Sequence, residues 1–235
     1  MRELSRRVFV GRAAAGIAAL GASAGAMEGE RVYGTADWKM ASFQQMLKEP
    51  FEVKQMYDVT EIDGGGAFDH MVNSLNGLQF GFGIPAEKIK IVGALRAMAT
   101  VMNYNDVIWE KYQIGEMVKV NDPKTGKPAL RNIYYASAAG SPAKYASTDR
   151  NNDASMYQDS SIQALQGRGV QLLACHLAIQ AQAGGLVERR KLKQTREEVV
   201  QELQGNLVPG VMVMPSMVAA IGVLQSRGKF TYLRM

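Results

Sequence analysis

Residues 170–180 read "VQLLACHLAIQ", and their two halves follow different rules. "VQLLAC" (170–175) is almost continuously apolar, the pattern of a strand covered on both sheet faces. From about 177 the pattern turns amphipathic, and a helix begins. A short buried strand that runs straight into a helix is half of a parallel β-α-β unit. Working outward, the same pairing recurs. "VKQMYDVTEI" (53–62) reads as a strand, closed by the turn Asp63-Gly64-Gly65-Gly66. In the stretch after it, Phe68, Met71, Val72, Leu75 and Leu78 fall at helical spacing. "KIKIVGALR" (88–96) is a second strand, and 100–118 a helix broken near Asn103-Tyr104-Asn105.

A helix over 160–167 leads into "VQLLAC". Beyond it, 194–207 is helical, with Thr195 and Glu198 in capping-box spacing. "GVMVMP" (210–215), a helix over 216–228 and "KFTYLRM" (229–235) complete the series. Strands alternate with helices five times. This predicts an α/β fold: a three-layer α/β/α sandwich around a mainly parallel five-stranded sheet. One domain spans 51–235, with a long irregular stretch at about 119–159. Structureless connections of that length are uncommon in compact domains, so it is either a lid over a site or a mobile excursion. Residues 27–50 read as a linker or covering arm.

The chain has 235 residues and a formal net charge of +5. Residues 1–26 hold four arginines against one glutamate, which leaves 23 basic and 21 acidic residues elsewhere. The body therefore lacks the footprint of a nucleic-acid binder. One cysteine excludes an internal disulfide. Residues 1–26 combine a charged start with a short Ala/Gly-rich apolar stretch, too short for a transmembrane helix of about 20 residues. Ser5-Arg6-Arg7-Val8-Phe9 resembles a twin-arginine export signal, with cleavage expected after Ala24 or Ala26. No later apolar segment reaches the length of a transmembrane helix either, so no stable membrane span is expected in the mature chain, and the resemblance implies export to a periplasmic or otherwise extracytoplasmic place.

Ligands in open α/β sheets bind beyond the carboxyl ends of the strands, so three strand ends matter. At the first, the backbone of Gly64, Gly65 and Gly66 could cradle an anion, although neither a dinucleotide fingerprint nor a P-loop is present. The plainer reading is a flexible turn. His70, Asn73 and Asn76 form a polar stripe on the following helix, either a site wall or a solvent face. At the second lie Arg96, Asn103, Asn105, Asp106 and Trp109; Trp109 reads chiefly as core. At the third, Cys175 ends a strand and opens a helix, where the helix N-terminus favours a thiolate. His176 beside it could supply positive charge or shuttle a proton. Neighbouring side chains on a strand point to opposite faces, however. The alternative is a buried, inert cysteine. Cys175, His176, His70 and Asp106 have no metal-ligand spacing, and Met212 and Met214 read as core. Nothing in the sequence requires a cofactor.

The order of motifs around Cys175 resembles the DsrE/DsrF-like family. The matching residues are Cys175 after the third strand, Pro209-Gly210-Val211, Pro215, Leu224-Gln225-Ser226-Arg227-Gly228 and the closing Phe230-Thr231-Tyr232. "HMVNSLNGLQFGFGIP", "NDVIWEKYQIGE" and "NDPKTGKPALRN" look like a longer, exported subgroup. The resemblance covers roughly 52–118 and 160–234. It implies a DsrE-like fold, often assembled as homo-oligomers, with sulfur passed as a persulfide on Cys175 to or from a donor or acceptor protein. The chain departs from the pattern in its export signal, its insertion of about 40 residues and His176, where relatives commonly have Asn. Two main readings stay open: a sulfur carrier walled by the Gly64–Gly66 turn and Asn103, or a non-catalytic binding or assembly module with Cys175 buried.

Overall fold

The structure is a computed structural model that describes residue 38 and residues 40–136 and 145–235. The expected export signal and cleavage site lie outside the described residues. Five strands form one sheet: β1 (Val53–Val59), β2 (Ile89–Leu95), β3 (Gln171–Cys175), β4 (Met212–Met214) and β5 (Thr231–Arg234). Their order is β4-β3-β2-β1-β5, and every pairing is parallel. The chain steps one way from β1 to β4, then crosses back to place β5 on the far side of β1.

Register decides which side chains share a face. Asp58 lies opposite Ala94, Ala94 opposite Leu173, and Leu173 opposite Met212. With the two-residue period of a strand, one face carries Met56, Asp58, Val92, Ala94, Leu173, Cys175 and Met214. The other carries Tyr57, Val59, Ile91, Leu95, Leu172 and Ala174. The buried core divides along the same line into two clusters. The larger one packs on the Tyr57 face beneath α2 (Gly66–Asn76), α3 (Asp106–Lys111), α4 (Ile114–Val118), α5 (Ile162–Gly167), α6 (His176–Arg190) and α7 (Arg196–Gly205). The smaller packs on the Asp58 face beneath α1 (Ala41–Lys48) and α8 (Met217–Ser226). Two helical layers thus sandwich the sheet.

Local chemistry accounts for the element ends. The capping box at α7 is present: the Thr195 side chain accepts from Glu198 N, and Glu198 Oε2 accepts from Thr195 N at 2.7 Å. The expected break near Asn103–Asn105 separates a 3-10 helix (Ala97–Asn103) from α3, and the Asn105 side chain caps α3. Gly184 and Gly185 lie inside α6 without ending it. Two segments outside the strand–helix alternation pack on the core. Within 27–50, α1 is a covering helix whose Phe43 and Met46 are buried in the smaller cluster. Within the 119–159 stretch, residues 120–135 dock on the larger cluster through Ala129 and Tyr134, so this part is not a free excursion.

Candidate functional site at the carboxyl edge

Continuing the Ala94–Leu173 row by two residues aligns Cys175 with Arg96. Arg96 is extended, and its N–H donates to Val59 O at 2.9 Å, so the strand pattern carries on past β2. Arg96 and Cys175 therefore stand side by side on the Asp58 face. Arg96 Nε and Nη2 donate to the two carboxylate oxygens of Asp58 at 2.7 and 2.9 Å. Tyr232 Oη donates to Asp58 Oδ2 at 2.7 Å. Asp58 is 2% exposed. Burial alone would push its carboxyl pKa up, but the hydrogen bonds from Arg96 and Tyr232, with the charges of Arg96 and Arg234, hold it below the ordinary value.

This cluster has a topological reason to be where it is. The helices after β1 cover one face, whereas α8, which leads into β5, covers the other. The crevice between β1 and β5 is thus the switch point of the sheet, where open α/β folds receive ligands. Asp58 and Arg234 are register partners across it. The Gly64–Gly66 turn follows β1 at the same edge. Asp63, Gly64 and Gly65 all have positive φ (37°, 58° and 91°). Glycine suits the latter two because a Cβ there is strained. At Gly65 it would also sit 3.0 Å from the Tyr134 ring. The turn is packed on the insertion by that contact, and only Gly64 of the two left-handed glycines is exposed.

Cys175 is 7% exposed, within a cluster of Phe43, Met46, Leu173, Met214 and Met217. Its backbone is extended and forms the N-cap of the 15-residue helix α6. His176, the first residue of α6, turns away. Its Nδ1 lies 2.6 Å from Gln204 Nε2 on α7, and its ring meets the Trp38 ring edge-on at 5.1 Å. With the Gln204 amide donating to Nδ1, Nε2 carries the proton of a neutral ring. Burial, and then the positive charge of Arg196, lower the His176 pKa, which keeps the imidazole neutral.

The other expected site residues are dispersed. His70 and Asn73 are exposed on α2, across the sheet from the Cys175 side chain. Asp106 caps the insertion instead, its Oδ1 accepting from Asn132 N at 2.9 Å. Trp109 is wholly buried and donates to Val101 O at 3.2 Å. Asn103 is wholly buried; its Nδ2 donates to Leu173 O at 3.3 Å, and its Oδ1 has no hydrogen-bond partner among the described residues. Tyr104, next to it, donates to Gln182 on α6. Burial, then Cys175, raise the Tyr104 pKa far above the ordinary value, so the phenol stays protonated. Sequence reasoning singled out Arg96 only as a neighbour and missed Asp58, Tyr232 and Arg234. The lone acidic residue in an otherwise apolar and aromatic strand end, "MYDV", was the available signal.

Among the described residues, no three His, Cys, Asp or Glu side chains gather into a group that could hold a metal, and no helix is long and apolar enough to cross a membrane. Compared with protein-family models, curated proteins and solved structures, the chain finds no match.

Proposed function

We propose that the chain is an exported, DsrE-like protein that carries sulfane sulfur on Cys175. The observation that supports this reading is the placement of that thiol: at the carboxyl edge of the sheet, at the N-terminus of α6 and in line with the Arg96 guanidinium. Arg96 is the positive group on the thiol's own face of the sheet, and Asp58 takes up part of its charge. In the forward step the Cys175 thiolate attacks the terminal sulfur of a donor persulfide. The donor S–S bond breaks, its electron pair leaves with the donor thiolate, and Cys175 becomes the persulfide. No net oxidation occurs. A sulfur donor or acceptor protein, and further copies of this chain, are the partners this reading calls for. α1 shares the buried cluster with Cys175, so a donor reaches the thiol only when α1 lifts.

A second reading rests on the 7% exposure of Cys175 among apolar side chains. Here the thiol is packing, and the chain is a non-catalytic binding or assembly module. One experiment separates them. The folded protein is treated with inorganic polysulfide and its intact mass measured, with Cys175→Ser alongside. A gain of one sulfur atom, lost in the variant, supports the carrier. No adduct on the folded protein, with alkylation of Cys175 only after unfolding, removes the carrier reading and leaves the packing one.

A further inference from the structure

At the opposite edge of the sheet, the amino ends of β1, β2 and β3 surround a cavity of about 330 Å³. Phe51, Leu75, Ile89, Met156 and Tyr157 give it apolar and aromatic walls. Two cations line it, Lys90 and Arg168, against one carboxylate, Glu87, which is exposed. Lys90 Nζ donates to Gly169 O at 2.9 Å, one of the three hydrogen bonds an ammonium can make.

Arg168 is the unusual member. Both of its terminal nitrogens, Nη1 and Nη2, are closed off from solvent, and neither has a hydrogen-bond partner among the described residues. The Tyr157 ring packs against it, its centroid 5.1 Å from the guanidinium carbon. A guanidinium withdrawn from water normally has its donors satisfied, and leaving them empty is costly. The Asn76 amide donates to Tyr157 O at 2.7 Å, while its own Oδ1 is likewise buried and has no hydrogen-bond partner among the described residues. Two orphaned polar groups therefore flank the same tyrosine.

We propose that this cavity binds a small organic acid, with its carboxylate in the fork of Arg168 and its apolar body against Phe51, Ile89 and Tyr157. Two parallel N–H donors match a carboxylate edge, and this pairing is stronger than a neutral hydrogen bond. The volume lies at the small end of ligand cavities, which run from about 300 to 1,000 Å³. Both nitrogens are closed off from solvent, so the carboxylate reaches them through a side-chain rearrangement around Arg168, of the kind ligands commonly induce. The site is separate from Cys175 and does not depend on the sulfur-carrier reading.

Titration calorimetry of the full chain with phenylacetate tests this, with phenylacetamide, acetate and inorganic sulfate as comparisons. Phenylacetate is expected to bind saturably, at least about tenfold more tightly than each of the other three. Arg168→Lys, which keeps the charge and loses the fork, should weaken it by about tenfold or more. Sulfate or acetate binding as well as phenylacetate would overturn the assignment of an organic acid. Equal binding of phenylacetamide would overturn the role of the carboxylate, and needs no variant that might misfold. Unchanged affinity in a folded Arg168→Lys, or no saturable binding of any probe, would overturn the site.

Discussion

Asp58 accepts three hydrogen bonds, two from Arg96 and one from Tyr232, while almost wholly withdrawn from water. Replacing it by Asn keeps the shape and removes the charge that holds the half-buried guanidinium. Breaking a buried pair from one side typically costs about 3–5 kcal/mol, and the partial exposure of Arg96 puts Asp58→Asn near about 3 kcal/mol. Urea denaturation at neutral pH measures this. The folded carboxyl titrates below its ordinary value. Its stabilisation is therefore complete above about pH 4 and is lost as pH falls through the lower, folded value. The gap between wild type and Asp58→Asn should close over that range. His176 gives a second pH signature. Its folded pKa is also lowered, so the folded state resists protonation. Its contribution is whole above about pH 6.5 and shrinks as pH falls below that. Urea midpoints for His176→Gln should consequently vary less between about pH 7 and pH 5 than those of the wild type. An equal slope in both proteins would show that the imidazole is not the group responsible.

At the scale of elements, α1 decides whether Cys175 can be reached. Phe43 and Met46 on α1 share the small cluster with Cys175, and Trp38 just before α1 touches His176. Phe43→Ala should destabilise the protein by about 3–5 kcal/mol and speed alkylation of Cys175 under native conditions. Gln44→Ala, on the exposed side of α1, should change neither. Alkylation at the wild-type rate in a folded Phe43→Ala would remove α1 as the cover. Elements of this kind differ in how plainly the sequence announces them. Thr195 and Glu198 are three residues apart, so their mutual capping was readable directly. The Cys175–His176 pair was equally visible, but the two diverge, because one belongs to a strand face and the other to a helix packed on Gln204. The Asp58, Arg96 and Tyr232 cluster was not readable. Its members lie 38 and 174 residues from Asp58 and meet only once the strand order is known.

For the whole molecule, the alternation of apolar strands with helices was enough for the layers and the parallel sheet, because burial on both faces leaves its mark on every central strand. The docking of the insertion left no such mark. It depends on Asn132, a polar residue in a stretch without periodicity, yet 1% exposed. Its Nδ2 donates to Met102 O and Tyr104 O at 2.8 and 2.7 Å, and its Oδ1 accepts from Tyr134 N at 3.0 Å. These bonds tie the insertion to the segment that leaves β2, and they hold Tyr134 against Trp109 and the Gly65 turn. Asn132→Ala would strand two buried carbonyls and one N–H, a cost of about 2–4 kcal/mol after local relaxation. If the insertion is part of the one cooperative core, tryptophan fluorescence and far-UV circular dichroism should still follow a single urea transition in this variant. That transition should shift to lower urea with its slope unchanged. Trp109 lies in the packed interface, so a fluorescence change preceding the loss of helical signal would instead mark the insertion as a unit that unfolds on its own.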